Sequence, residues 1–239
     1  MAPPRGMADM GSNIRENIER VRERIAMASL RAGRHPDDVK LIAISKTFPS
    51  ERIREAYEAG QRDFGENRVQ EAAAKRPALA DLTITWHLVG HLQTNKAKSA
   101  RDLFHWIHSV DSFRVAEKLD KAASRGERLP VLVEVNLGDE PSKSGVREGD
   151  VFPLVQQASR LSTVEIHGLM VIPPFFDDPE QSRPYFHRLR ELASKIDAAG
   201  LPGVSMRELS MGMSHDFEVA IEEGATMVRV GTAIFGQRT

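Results

Sequence analysis

Leu41-Ile42-Ala43-Ile44-Ser45-Lys46 and Met227-Val228-Arg229-Val230-Gly231 bracket the chain and decide how the rest is read. Each is a short apolar run carrying one cation. Runs of this length without amphipathic spacing suit strands covered on both faces, as in parallel sheets. Outward from the first run, an amphipathic stretch covers Glu51–Ala59, a second short run covers Asp63–Gly65, and the alternation continues to the end of the chain. Strands are predicted at Leu41–Ser45, Asp63–Gly65, Trp86–Gly90, Trp106–Val110, Val131–Asn136, Glu165–Met170, Glu208–Met211 and Met227–Gly231. Helices are predicted between them at Glu51–Ala59, Asn67–Lys75, Asn95–Ala100, Ser112–Ser124, Val151–Leu161, Pro179–Ala199 and Asp216–Glu223. Strands and helices that alternate in this way imply a parallel sheet. Eight such units in a chain of this size fit a closed (β/α)8 barrel, a TIM barrel, with an open doubly wound sheet as the alternative. No Gly-rich dinucleotide turn follows the first strand, which counts against the open sheet.

An extra helix precedes the barrel. Asn13 and Glu16 have capping-box spacing, and Ile14, Ile18, Val21 and Ile25 recur on one helical face. Gly33 and Pro36 supply its stop. Residues 1–11, rich in Pro, Gly and Met, are expected to form a mobile tail, and residues 12–239 a single domain.

The 239 residues carry 33 Lys+Arg against 34 Asp+Glu, a net charge of −1, and no cysteine. Disulfides, thiolate metal sites and cysteine nucleophiles are therefore excluded. The near-neutral balance argues against a nucleic-acid or membrane-surface binder. No apolar run approaches the roughly 18 residues of a membrane span, and the N-terminus lacks the apolar core of a signal peptide. A cytoplasmic protein is expected, and a monomer, because no large unexplained apolar stripe is evident.

Lys46 ends the first strand and so stands at the barrel mouth. Apolar walls there would lower its pKa and free it to form a Schiff base; a solvated lysine at the strand end is the alternative. Arg229 alternates with Val228 and Val230, which suit the helix layer, so it faces the barrel interior. A buried guanidinium requires a partner, either a fixed carboxylate such as Glu134 or a ligand. Gly231-Thr232 follows the eighth strand, and Ser210-Met211-Gly212-Met213-Ser214 follows the seventh. Loops at those two places often bind phosphate in barrels, although a routine cap and a tight turn use the same residues. His87 and His91 lie about 13 Å apart on an extended strand, too far to share one metal ion. His105 and His108 fall on opposite strand faces, and no metal site is expected. Pro173–Pro184 is the longest irregular stretch, and its place after a strand puts it on the same rim.

Several segments resemble the pyridoxal 5′-phosphate (PLP) homeostasis proteins (the YggS/PROSC family). They are Leu41–Thr47, Phe64–Glu71, Trp86–Lys96, Lys143-Ser144-Gly145, His167–Met170, Leu209–Glu218 and Met227–Gly236. The matches run from about residue 12 to residue 238. The resemblance implies a single barrel of PLP fold type III, like the N-terminal domain of alanine racemase. It implies a Schiff base between Lys46 and PLP, with Arg229 facing the pyridine nitrogen. Ser210, Ser214, Gly231 and Thr232 would hold the phosphate, with Asn67 beside the ring. His91 and Met211 would line the pocket, and Lys143 would assist exchange of the cofactor. One departure is Phe48, where many members carry a second lysine, so an exchange role at that position is in doubt. Val171-Ile172-Pro173-Pro174 also differs from the more usual small residue after the Leu-Met pair.

An arginine beside the ring nitrogen disfavours its protonation and weakens the ring as an electron sink. Racemisation tolerates that, but it needs acid–base groups on both faces of the ring. The chain's tyrosines, Tyr57 and Tyr185, both fall in predicted helices. The expectation is a protein that stores PLP and delivers it to PLP-dependent apoenzymes, with little or no turnover. An amino-acid racemase using Lys46 and His91, and a Schiff-base aldolase acting on a phosphorylated sugar, are the alternatives.

Overall fold

A computed structural model describes residues 13–124, 127–138 and 144–237. In chain order, α1 (Ile14–Arg31) precedes β1 (Lys40–Ile44), α2 (Ser50–Glu58), β2 (Asp63–Glu66), α3 (Val69–Lys75), β3 (Thr85–Leu88), α4 (Ala97–Leu103), β4 (Trp106–Val110) and α5 (Phe113–Lys121). Then follow β5 (Leu129–Asn136), the two-residue β6 (Val146–Arg147), α6 (Glu148–Ala158), β7 (Val164–Val171), α7 (Arg183–Asp197), β8 (Val204–Met213), α8 (Phe217–Glu222), β9 (Met227–Val230) and α9 (Thr232–Phe235). Every pairing is parallel, and β1–β9 together with β4–β5 close the ring. Eight strands form that ring, while β6 pairs only with the end of β5. The expected (β/α)8 barrel is the observed fold, and the open sheet is not.

The closed ring follows from how these strands distribute their side chains. One apolar shell lies between strands and helices, and includes Leu41, Ala43, Phe64, Leu88, Val228 and Val230. A second, smaller one fills the barrel with Ile42, Ile44, Val89, Leu132, Met170 and Met227. The strict alternation of β1 and β9 between these shells is the period-2 rule for strands. α1 behaves as its spacing predicts: Ile14, Ile18, Val21 and Ile25 are buried, and Asn13 caps its start by accepting from the Glu16 N–H. It packs against α2, α8 and α9, tied by Asn17 Nδ2 to Ile234 O at 2.8 Å and by paired Arg24–Glu218 hydrogen bonds.

The structure differs from the sequence reading at several margins. β8 starts at Val204 instead of Glu208, because Val204–Arg207 join the sheet although Ser205 and Arg207 break the apolar pattern. The predicted helix Pro179–Ala199 is a 3-10 turn at Pro179–Ser182 followed by α7, so the irregular rim segment is only Ile172–Asp178. The helix expected from Asn67 begins at Val69. β6 and α9 were not anticipated. Residues 1–11 lie outside the described residues. No helix among the described residues is long and apolar enough to cross a membrane.

Candidate functional site

The C-terminal ends of the strands surround a cavity of about 470 Å³. Lys46, Asn67, His91, Ser214, Arg229, Gly231 and Thr232 all line it, although they come from five different strand ends. Phe48 lines it too, stacked on Phe235 with ring centroids 5.0 Å apart. Ile172 and Phe175 of the irregular rim segment form part of the wall, and Phe175 is 77% exposed.

Lys46 is placed by its neighbours. Ser45 O accepts from Lys75 Nζ at 2.9 Å, and Ser45 Oγ donates to Glu66 Oε1 at 2.7 Å. The Thr47 N–H donates to Glu71 Oε1, and Lys75 Nζ pairs with Glu66 at 2.8 Å and with Glu71 at 2.7 Å. The segment on both sides of Lys46 is thus pinned to one buried ion cluster behind β1 and β2. Thr47 has φ +70°, a left-handed conformation that costs a β-branched residue of the order of 1–3 kcal/mol and persists only when its surroundings enforce it. Burial raises the Glu66 carboxyl pKa, opposed by Lys75.

Arg229 points into the barrel, as alternation requires. Its Nη1 donates to Ser210 Oγ at 2.7 Å and its Nη2 to Val171 O at 2.9 Å. The carboxylate partner considered for it is not what holds it: these bonds run to a hydroxyl and a carbonyl, and Glu134 acts on it only through space. Burial lowers the Arg229 pKa to about 10, with Asp216 and Glu134 opposing. Glu134 also lines the cavity. Burial and repulsion from Asp111 raise its pKa to about 7 against the attraction of Arg229. Its Oε2 makes no hydrogen bond among the described residues. His91 sits at the rim with Nδ1 3.1 Å from Asp111 Oδ2.

The loop after β8 and the turn after β9 meet at Ser214. Its Oγ accepts from Gly231 N at 3.2 Å and Ala233 N at 3.4 Å, so it caps α9 from another element. β8 carries one extra residue between Ser210 and Met213 relative to β9. This bulge turns Gly212 toward α8 and Met213 and Ser214 toward the cavity. Gly212 is required there: φ is +89°, and a Cβ would lie 2.6 Å from Ala220 Cβ and 2.8 Å from Phe217 Cα.

Ser210 and Met211 are not among the cavity-lining residues. Ser210 is fully buried behind Arg229, and Met211 packs in the shell under the helices. Lys143 lies outside the described residues. His87 and His108 are buried inside the barrel below the cavity, linked 3.0 Å apart, while His105 lies before β4 and accepts from Trp86 N. Among the described residues no cluster of three or more His, Asp or Glu side chains is placed to hold a metal ion. Sequence reasoning missed the Glu66–Glu71–Lys75 cluster. Its only sequence signal was the i,i+4 spacing of Glu71 and Lys75, which looks like an ordinary surface pair.

The barrel and its C-terminal cavity define the class: the family model for the alanine racemase N-terminal domain matches residues 11–239. Alanine racemase of Clostridium difficile 630 shares the fold at TM-score 0.67 and 17% identity, over 95% of this chain and 57% of that one. Nearer relatives narrow the class. The pyridoxal phosphate homeostasis protein of Aquifex aeolicus is 47% identical over 227 residues, covering 95% of this chain and 99% of the relative. That of Escherichia coli K12 is 40% identical over 236 residues, covering 95% and 97%. PipY of Synechococcus elongatus PCC7942, solved with PLP bound, superposes at TM-score 0.79 with 46% identity, over 90% of this chain and all of that one. The chain belongs to the pyridoxal phosphate homeostasis protein family.

Proposed function

We propose that this chain binds PLP in the C-terminal cavity, attached to Lys46, and acts in the cytoplasm as a holder and donor of the cofactor with little turnover of its own. The observation that carries this reading is the convergence of Lys46, Arg229, Ser214, Gly231 and Thr232 on one cavity. That donor set suits the group: a primary amine, a cation, two hydroxyls and a turn whose backbone approaches closely. PLP supplies an aldehyde that condenses reversibly with an amine, an aromatic ring and a phosphate. Lys46 offers the amine, fixed by the ion cluster on either side of it. Ser214, Thr232 and the backbone at Gly231 are the groups we assign to the phosphate, Arg229 to the pyridine nitrogen, and Asn67 and His91 to the ring's surroundings. PipY, a relative with the same barrel, has been solved with PLP bound.

The low turnover follows from the same residues. A buried Arg229 keeps a positive charge where a catalytic ring would need a proton. Among the described residues no tyrosine lines the cavity. Tyr57 lies under Arg62 with its hydroxyl accepting from Thr83 N, and Tyr185 packs against Phe176. A second reading, an amino-acid racemase pairing Lys46 with His91 or Glu134, is favoured by one observation: a carboxyl in the cavity whose pKa is about 7.

Two measurements on purified protein separate these readings. Wild-type chain loaded with PLP and dialysed should keep a visible chromophore that Lys46→Ala loses. Incubation with L-alanine in deuterated water should leave Cα protonated over many hours. Equal retention by both proteins refutes attachment at Lys46, and rapid Cα exchange establishes the racemase.

A further inference from the structure

The barrel interior holds a row of polar side chains below the cavity. Arg229 Nη1 lies 2.7 Å from Ser210 Oγ. Ser210 Oγ lies 2.9 Å from His108 Nδ1. His108 Nε2 lies 3.0 Å from His87 Nδ1, with the rings edge to face. His87 Nε2 lies 3.0 Å from Asp63 Oδ1. The five residues come from β9, β8, β4, β3 and β2, and all but Asp63 are buried.

The two ends leave no freedom in how the protons lie. A guanidinium only donates and a carboxylate only accepts. Ser210 Oγ accepts from Arg229 and still has its hydroxyl proton to give to His108 Nδ1, the direction that the carboxylate at the other end requires. His108 is then protonated on Nε2 and donates to His87 Nδ1. His87 is likewise protonated on Nε2 and donates to Asp63. The opposite order would set a bare nitrogen of His87 against the Asp63 carboxylate. It would also leave His108 and the guanidinium both donating to Ser210 Oγ.

We propose that Asp63, His87, His108 and Ser210 form a tautomer-locked relay of positioning residues that holds the Arg229 head at the cavity floor from the opposite end of the barrel. Aligned hydrogen-bond dipoles of this kind reinforce one another in a low-dielectric interior. Burial disfavours the charged form of both imidazoles; Asp63 opposes this at His87, while Lys40 adds to it at both rings and Arg229 at His108. Around the far end, Lys40 Nζ lies 3.7 Å from Asp63 Oδ1 and 5.7 Å from the centroid of the Trp106 ring. The relay stands on the protein alone. Its consequence for the cofactor rests on the function proposed above: an Arg229 held in one plane presents its remaining donors to the ring edge in one orientation.

The test begins with the ligand-free wild-type chain, labelled with 15N on histidine. Long-range 1H–15N correlations between pH 6 and pH 8 should show His87 and His108 as neutral Nε2–H tautomers throughout. An Nδ1–H tautomer or an imidazolium at either residue overturns the proposal, whatever the protein binds. Ser210→Ala should leave both rings Nε2–H, because His87, still against Asp63, presents a bare Nδ1 that only the His108 Nε2–H satisfies. Asp63→Asn, which can donate as well as accept, should release His87. PLP retention should weaken about tenfold in both variants, the scale of one lost charge-assisted hydrogen bond. Tautomers that shift with retention unchanged refute the positioning role. A wild type that fails to bind PLP refutes the proposed function and leaves the tautomer result to stand or fall alone.

Discussion

Glu134 is buried at the cavity wall with an oxygen that has no hydrogen bond among the described residues, and its pKa is about 7 against an ordinary 4.5. Glu134→Gln keeps the shape and removes the charge. The folded carboxyl holds its proton to higher pH than the unfolded one. Between those two values the native state therefore binds more protons, and stability falls as pH rises. Below pH 4.5 the group costs nothing. Above pH 7 the cost is the difference of 2.5 units at 1.36 kcal/mol each, about 3 kcal/mol. Urea denaturation of the ligand-free chain at pH 5, 6, 7 and 8.5 measures this directly. Glu134→Gln should match wild type to within about 1 kcal/mol near pH 5 and exceed it by about 3 kcal/mol at pH 8.5. A constant offset across that range, or a gap that closes as pH rises, would refute the account of a carboxyl charged against its surroundings.

Three further outcomes follow from the same geometry. Lys75→Met leaves Glu66 and Glu71 without their shared cation and should destabilise the chain by about 3–5 kcal/mol at neutral pH, and by less in acid, where Glu66 is protonated; urea midpoints at the two pH values test it. Gly212→Ala combines a positive φ with contacts to Ala220 and Phe217 and should cost more than about 2 kcal/mol by the same assay. Ser214→Ala removes the acceptor shared by Gly231 N and Ala233 N; it should lower stability by about 1 kcal/mol and shorten PLP retention in dialysis about tenfold.

What the sequence disclosed depended on whether a position obeys a local period. β1 and β9 alternate between two apolar shells, and α1 repeats at helical spacing, so both are legible from residue types alone. The inward aim of Arg229 follows from the valines on either side of it. Its partner was hidden, because Ser210 reaches it across the sheet and not along the chain. Ser210 itself was assigned to the phosphate because it stands in a Ser/Gly-rich loop motif. The bulge after it sends Ser214 to the cavity and leaves Ser210 in the barrel floor. α9 escaped notice because four residues carry no periodicity and its cap comes from Ser214 in another loop. The ion cluster behind Lys46 was masked by the same cause: Glu66 on β2, Lys75 on α3 and Ser45 after β1 meet only in three dimensions.

The central claim is that one amine, that of Lys46, carries the cofactor. Loading the wild-type chain with PLP, fixing the linkage with borohydride and mapping the peptides by mass tests it most directly. The pyridoxyl mass should appear on the peptide containing Lys46 at close to one equivalent per chain. An adduct confined to another lysine, or no adduct on a chain that retains PLP, would contradict the account.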